Sequence, residues 1–190
     1  MTMTCELNKI NIDLTLEFLD IKGDVPENIK TLINHYEPLL RDKITPRYVY
    51  KTFPFKQFSG IQINAPLQGN DIKAHLKDCK QIVLLAATLG LPADEFIRMT
   101  EAADMAGAVV LDALASAAVE QTLDIAEREI KKKYTKITTR YSPGYGDFPL
   151  TVQQKLLAIL GAKRKIGLYA NESDLLIPRK SVTAVIGIIT

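Results

Sequence analysis

The stretch from about Ala106 to Tyr134 constrains this chain more than any other, because it holds no proline and a single glycine near its start. Ala113, Ala115, Ala117 and Ala118 give it high helix propensity and little side-chain bulk. Leu111, Leu114, Ala118, Leu123 and Ile130 are spaced so that they can face a core. Small residues let another backbone come close, so the first half of this helix is expected to be buried and packed along a sheet. Lys131, Lys132 and Lys133 end it, where cations favour the helix dipole. They read either as a solvated helix end or as a basic docking patch.

The rest of the chain must supply that sheet. Pro46 to Phe55, Gly60 to Ala65, Ile82 to Thr88, Ile166 to Ala170, Leu175 to Ile177 and Ser181 to Ile189 read as strands. Ile82 to Thr88 is continuously apolar, as a central strand requires. Asn171-Glu172-Ser173 predicts a hairpin turn. Pro26 and the apolar spacing of Ile29, Leu32, Ile33, Tyr36 and Leu40 predict a helix, with a kink or early end at Pro38. Asp71 is expected to cap a helix over Ile72 to Lys80, and Pro92 to open another. Thr151 to Gln154 has capping-box spacing, with Gly161 as the stop. Ile10 to Ile21 is ambiguous and reads as a short helix after an extended start. Strand pairs mixed with helix pairs predict an α+β fold with a largely antiparallel sheet.

With 190 residues and no repeat or linker, the chain is expected to form one domain over 1–190. A net charge of +2 gives no reason to expect nucleic acid or a membrane surface as partner. The longest apolar runs are expected to stop short of a bilayer span. Met1 to Asn8 lacks a secretion signal, so a cytoplasmic location is expected. Cys5 and Cys79 are far apart, which argues against a disulfide or zinc site; Cys79 reads as a buried, inert thiol. His35 and His75 lack metal-ligand spacing, and no metal site is expected.

Between the long helix and the next one lies Arg140-Tyr141-Ser142-Pro143-Gly144-Tyr145-Gly146-Asp147-Phe148-Pro149. Prolines and glycines fix the shape of such a loop. Its Arg and Tyr residues suit a small anionic or aromatic ligand, while the plainer reading is a turn that only connects two elements.

The pattern Arg140, two residues, Pro143-Gly144-Tyr145, three residues, Pro149 resembles the adenosylmethionine-binding loop of the activation domain of cobalamin-dependent methionine synthase. Three further stretches are similar to that family, particularly to its short free-standing bacterial members. They are His75 to Cys79 running into Ala86 to Gly90, Leu111 to Glu120, and Pro178 to Ala184. The resemblance covers roughly residues 45 to 190.

The resemblance implies S-adenosylmethionine as ligand, with Arg140, Tyr141, Pro143, Gly144 and Tyr145 in the site. Arg140 would meet the carboxylate with a two-pronged contact, and Tyr145 would offer its ring and hydroxyl. The family also places a glutamate on the long helix. Simple alignment puts Ser116 there, and Glu120, one turn later, is the nearest carboxylate on that face; it reads equally as a surface salt-bridge partner.

Larger family domains continue past the last strand with tyrosines that touch the ligand, so part of the pocket is expected to be absent or supplied by another chain. No cobalamin loop, zinc-thiolate site or glycine-rich methyltransferase loop is present in the sequence. The implied role is therefore that of a helper and not a complete enzyme. It would be an activation subunit presenting adenosylmethionine to the oxidised cobalamin of a methionine synthase or related corrinoid methyltransferase. A flavodoxin-type or other reductase would supply the electron. The alternatives are a corrinoid-docking module that has lost adenosylmethionine binding, and an enzyme using another small anion at the same loop.

Overall fold

The computed structural model describes residues 3–55, 67 and 69–189. The ladder at its centre is set by strand β3 (Gln81–Thr88), which is apolar from Ile82 to Ala87 and buried from Ile82 onward. A strand apolar on both faces must be covered on both. It pairs antiparallel with β2 (Arg47–Pro54) on one side and β6 (Ser181–Ile188) on the other. The two-residue strand β1 (Met3–Thr4) joins the far edge of β2, giving the order β1-β2-β3-β6. A separate hairpin joins β4 (Tyr169–Ala170) to β5 (Leu176–Ile177), and the Asn171 side chain accepts from the amides of Ser173 and Leu175 in its turn. Together with the seven helices given by the described residues this is a mixed α+β domain, as the strand and helix patterns predict.

Alternation along the strands assigns the two faces. Val49, Ile82, Leu84, Ala86 and Val185 point to one side, where α6 (Val152–Leu160) and α7 (Ala162–Ile166) close the core with Phe148. Tyr48, Val83, Leu85, Ala87 and Ile186 point to the other, against Leu123, Ala126 and Ile130 of α5 (Met105–Lys133). The far side of α5 is covered in turn by α1 (Ile12–Phe18), α2 (Glu27–Lys43) and α4 (Leu91–Glu101). The long helix is thus an interior layer, which is why its small residues are needed: Ala115, Ala117 and Ala118 are fully buried.

By length and composition α5 is apolar enough to cross a bilayer, contrary to the expectation that every apolar run stops short. Most of that stretch is core in this fold. One stripe of α5 remains open at helical spacing, through Val109, Asp112, Ser116, Glu120 and Asp124.

Several boundaries differ from the sequence reading. Helix α3 covers Asn70–His75 and ends before Lys80; Asp71 lies inside it and is not its cap. Ile166 ends a helix and does not begin a strand, because α7 occupies Ala162–Ile166 between Gly161 and Gly167. The chain continues as helix through Pro38 to Lys43. Thr151 makes no capping bond; the chain enters α6 through tight turns in which the amides of Val152 and Gln153 donate to the carbonyls of Pro149 and Leu150. The expected strand from Gly60 to Ala65 lies outside the described residues. Cys79 is buried, and burial raises its thiol pKa.

Candidate ligand site on the long helix and the Arg140 loop

After α5 the chain turns back and covers the free edge of β6. The Thr138 amide donates to Gly187, and Tyr141 exchanges two backbone bonds with Val185. This return run places Arg140 over the open stripe of α5. Its guanidinium meets three carboxylates there: Asp124 at 2.7 Å, Glu120 at 3.2 Å and Glu127 at 3.4 Å. Glu127 is also held by Lys131 at 2.7 Å. Three acids against two cations leave the cluster one formal charge negative.

Glu120 is shifted by these surroundings. Burial raises its pKa and the Asp124 charge adds to the rise, while the Arg140 charge opposes it. Ser116, one turn earlier, is engaged elsewhere. Its hydroxyl donates to the Asp112 carbonyl and accepts from Lys180 Nζ at 2.9 Å. Lys180 also pairs with Asp112 at 2.8 Å. Of the two positions considered from sequence, Glu120 is therefore the one beside Arg140.

Beyond Arg140 the loop folds on itself. The Gly144 amide donates to the Phe148 carbonyl, and the Phe148 amide to the Tyr145 carbonyl. Gly144 has φ +97°, which a side chain would strain. Pro143 is buried and Phe148 lies in the core, so the turn is anchored at both ends. Tyr145 stands out at the tip, 67% exposed. The half-buried ring of Tyr141 packs inward beside His75, Tyr145 and Phe148. Burial and the nearby Asp71 and Asp147 charges hold its phenol in the neutral form to higher pH.

The structure thus brings Arg140 and Glu120 into contact and sets Tyr141, Pro143, Gly144 and Tyr145 in the adjoining turn. Sequence reasoning missed Asp124 and Glu127. Their signal was present, since Glu120, Asp124 and Glu127 follow helical i, i+4, i+7 spacing. It also missed the Asp71–Asp147 contacts beneath the loop, which join segments far apart in sequence. Among the described residues no cluster of three or more His, Cys, Asp or Glu side chains could hold a metal ion.

The sequence matches no protein-family profile and no curated protein. Among solved structures the chain is similar to the MetH reactivation domain bound to AdoHcy. The TM-score is 0.71 with 16% identity, over 100% of this chain and 78% of that one. The likeness establishes that the two share a fold.

Proposed function

We propose that this protein binds adenosylmethionine between the Arg140 loop and the open stripe of α5, and serves as an activation subunit for the cobalamin of a methionine synthase or related corrinoid methyltransferase. The observation that carries this reading is the 3.2 Å approach of Arg140 to Glu120, on the fold of a domain that binds AdoHcy. The corrinoid belongs to the partner protein. A flavodoxin-type or other reductase would provide the electron.

The residues suit the ligand's charges. Glu120 and Asp124 can receive the ligand's ammonium. Arg140 can turn its fork to the ligand carboxylate by giving up Asp124, the most exposed of its partners. A cluster with one surplus negative charge favours a ligand bearing a sulfonium as well as an ammonium. Tyr145 offers an exposed ring face to that sulfonium. Adenosylmethionine supplies an electrophilic methyl group. The contribution of this chain is to hold the donor in line with an acceptor on another protein.

The ion cluster also favours a second reading. A guanidinium already held by three carboxylates can be a structural clasp, in which case the protein docks on a corrinoid partner without a methyl donor. The test is a reactivation assay with an oxidised corrinoid methyltransferase, a reductant and methyl-labelled adenosylmethionine. Label appearing on the corrinoid only when this protein is present supports the first reading. Complex formation without label transfer supports the second.

In the first reading Arg140→Ala weakens adenosylmethionine binding by about 2–5 kcal/mol. Arg140→Lys recovers only part of that loss, because an ammonium cannot reproduce the fork.

A further inference from the structure

The loop that carries Pro143, Gly144 and Tyr145 is held from below by α3, and one side chain makes most of that connection. The Asp147 carboxylate accepts from the Asn70 amide at 2.6 Å and from the Asp71 amide at 3.0 Å. Asp71 answers by accepting from the Asp147 amide at 3.2 Å. The start of α3 has no cap of its own, since the preceding residue is Gly69. Two of its open amides are satisfied by a residue 76 or 77 positions away. The fit is close: a Cβ at Gly69 would lie 2.5 Å from Asp147 Oδ1 and 2.9 Å from the Asp147 carbonyl oxygen.

The other end of α3 holds the other end of the loop. His75 Nε2 is 2.9 Å from the Thr139 carbonyl oxygen, next to Arg140, and the His75 ring packs beside Tyr141. Helix α3 therefore spans the loop like a brace, gripping it at residue 139 and again at 147. The bonds to the Asn70 and Asp71 amides also hold the Asp147 pKa below the usual carboxylate range, as expected for a charge seated on backbone donors.

We propose that Asp147 is a positioning residue, whose carboxylate, seated on the α3 amides, fixes the Pro143–Gly144–Tyr145 turn in the shape that meets ligand over α5. Asp147 touches no ligand itself; it acts through the turn. The role rests on the adenosylmethionine reading for what the turn binds, but the brace can be measured without ligand.

The test uses the full chain with Asp147→Ala and Asp147→Asn, AdoHcy as the ligand, and amide hydrogen exchange in its absence. Releasing the turn lowers the population of the competent shape, and apparent affinity falls in proportion. Asp147→Ala is expected to weaken AdoHcy binding about tenfold. Exchange at the Gly144 and Phe148 amides should speed up, while the amides of β3 keep wild-type protection. Asp147→Asn retains an acceptor oxygen and is expected to recover part of both effects.

Unchanged exchange at Gly144 and Phe148 in Asp147→Ala overturns the brace. Faster exchange with affinity within twofold of wild type overturns the positioning role. Loss of β3 protection along with the loop marks a merely structural residue and overturns it as well. A wild-type protein that binds neither AdoHcy nor adenosylmethionine refutes the adenosylmethionine reading instead, and the exchange data still decide the brace.

Discussion

Removing Arg140 tests the ion cluster without any ligand. Arg140→Ala deletes contacts at 2.7, 3.2 and 3.4 Å and leaves Glu120, Asp124 and Glu127 facing one another. The size of the effect is bounded by exposure. The Asp124 side chain is 53% exposed, so its pair is heavily screened, and Glu127 keeps Lys131 as a partner. Exposed pairs contribute about 0.2–1 kcal/mol each. Glu120 is better shielded and counts at the upper end of that range. The expected loss near neutral pH is about 1–2 kcal/mol, which for a domain of this size lowers Tm by about 3–6 °C.

The pH dependence follows from Glu120. Its folded pKa lies above its unfolded value, so it contributes least to stability when ionised. That contribution falls as pH rises from the ordinary carboxylate range through the folded value. Loss of Arg140 removes the one charge opposing this rise. The deficit of the variant should therefore be largest near pH 7 and shrink as the carboxylates protonate toward pH 4. Urea denaturation of both proteins across that range reads it directly. An equal deficit at both ends, or none at pH 7, would refute the argument that these contacts are coupled ion pairs.

Ala117→Leu, at a fully buried site on α5 with packed layers on both sides, should overpack the contact and cost about 1–3 kcal/mol in a denaturant melt. Phe148→Ala empties a core position under the loop and should cost about 3–5 kcal/mol; a loss below 1 kcal/mol would mean the loop is not anchored there. Asp104 caps α5 by accepting from the Gly107 amide and from the Tyr36 hydroxyl, each at 2.9 Å, and these bonds depress its pKa. Its stabilising effect is present above the ordinary carboxylate pKa and is lost as pH falls through the depressed value. Asp104→Ala should thus lower Tm at pH 7, with the gap to wild type closing in acid.

Much of the architecture was legible because it is locally encoded. The alanines between 113 and 118 have high propensity and no bulk, so α5 could be placed within a residue of its observed ends. Ile82 to Ala87 is apolar without a break and of strand length, which suits a central strand. Other features depend on distant partners. Helix α3 begins at Asn70 because Asp147 satisfies its amides, and nothing near residue 70 carries that information. Ile166 looked like strand because it is β-branched and two residues from Leu168, but burial against the sheet is met equally by a short helix.

The site divides in the same way. The loop pattern from Arg140 to Pro149 and the acidic periodicity of α5 are both visible in the sequence. Which acid Arg140 meets is decided by the run along β6, through the backbone bonds of Thr138 and Tyr141. Alignment alone pointed to Ser116, which the structure pairs with Lys180.

In the proposed function this fold holds a sulfonium nucleoside against Glu120 and Arg140. Calorimetric titration of the folded wild-type protein with adenosylmethionine, and separately with AdoHcy, tests it most directly. Saturable binding at one site is expected. Adenosylmethionine should be favoured over AdoHcy because the cluster is net negative, and that preference should narrow as salt is raised. Absence of binding by both ligands to protein that melts cooperatively would contradict the claim.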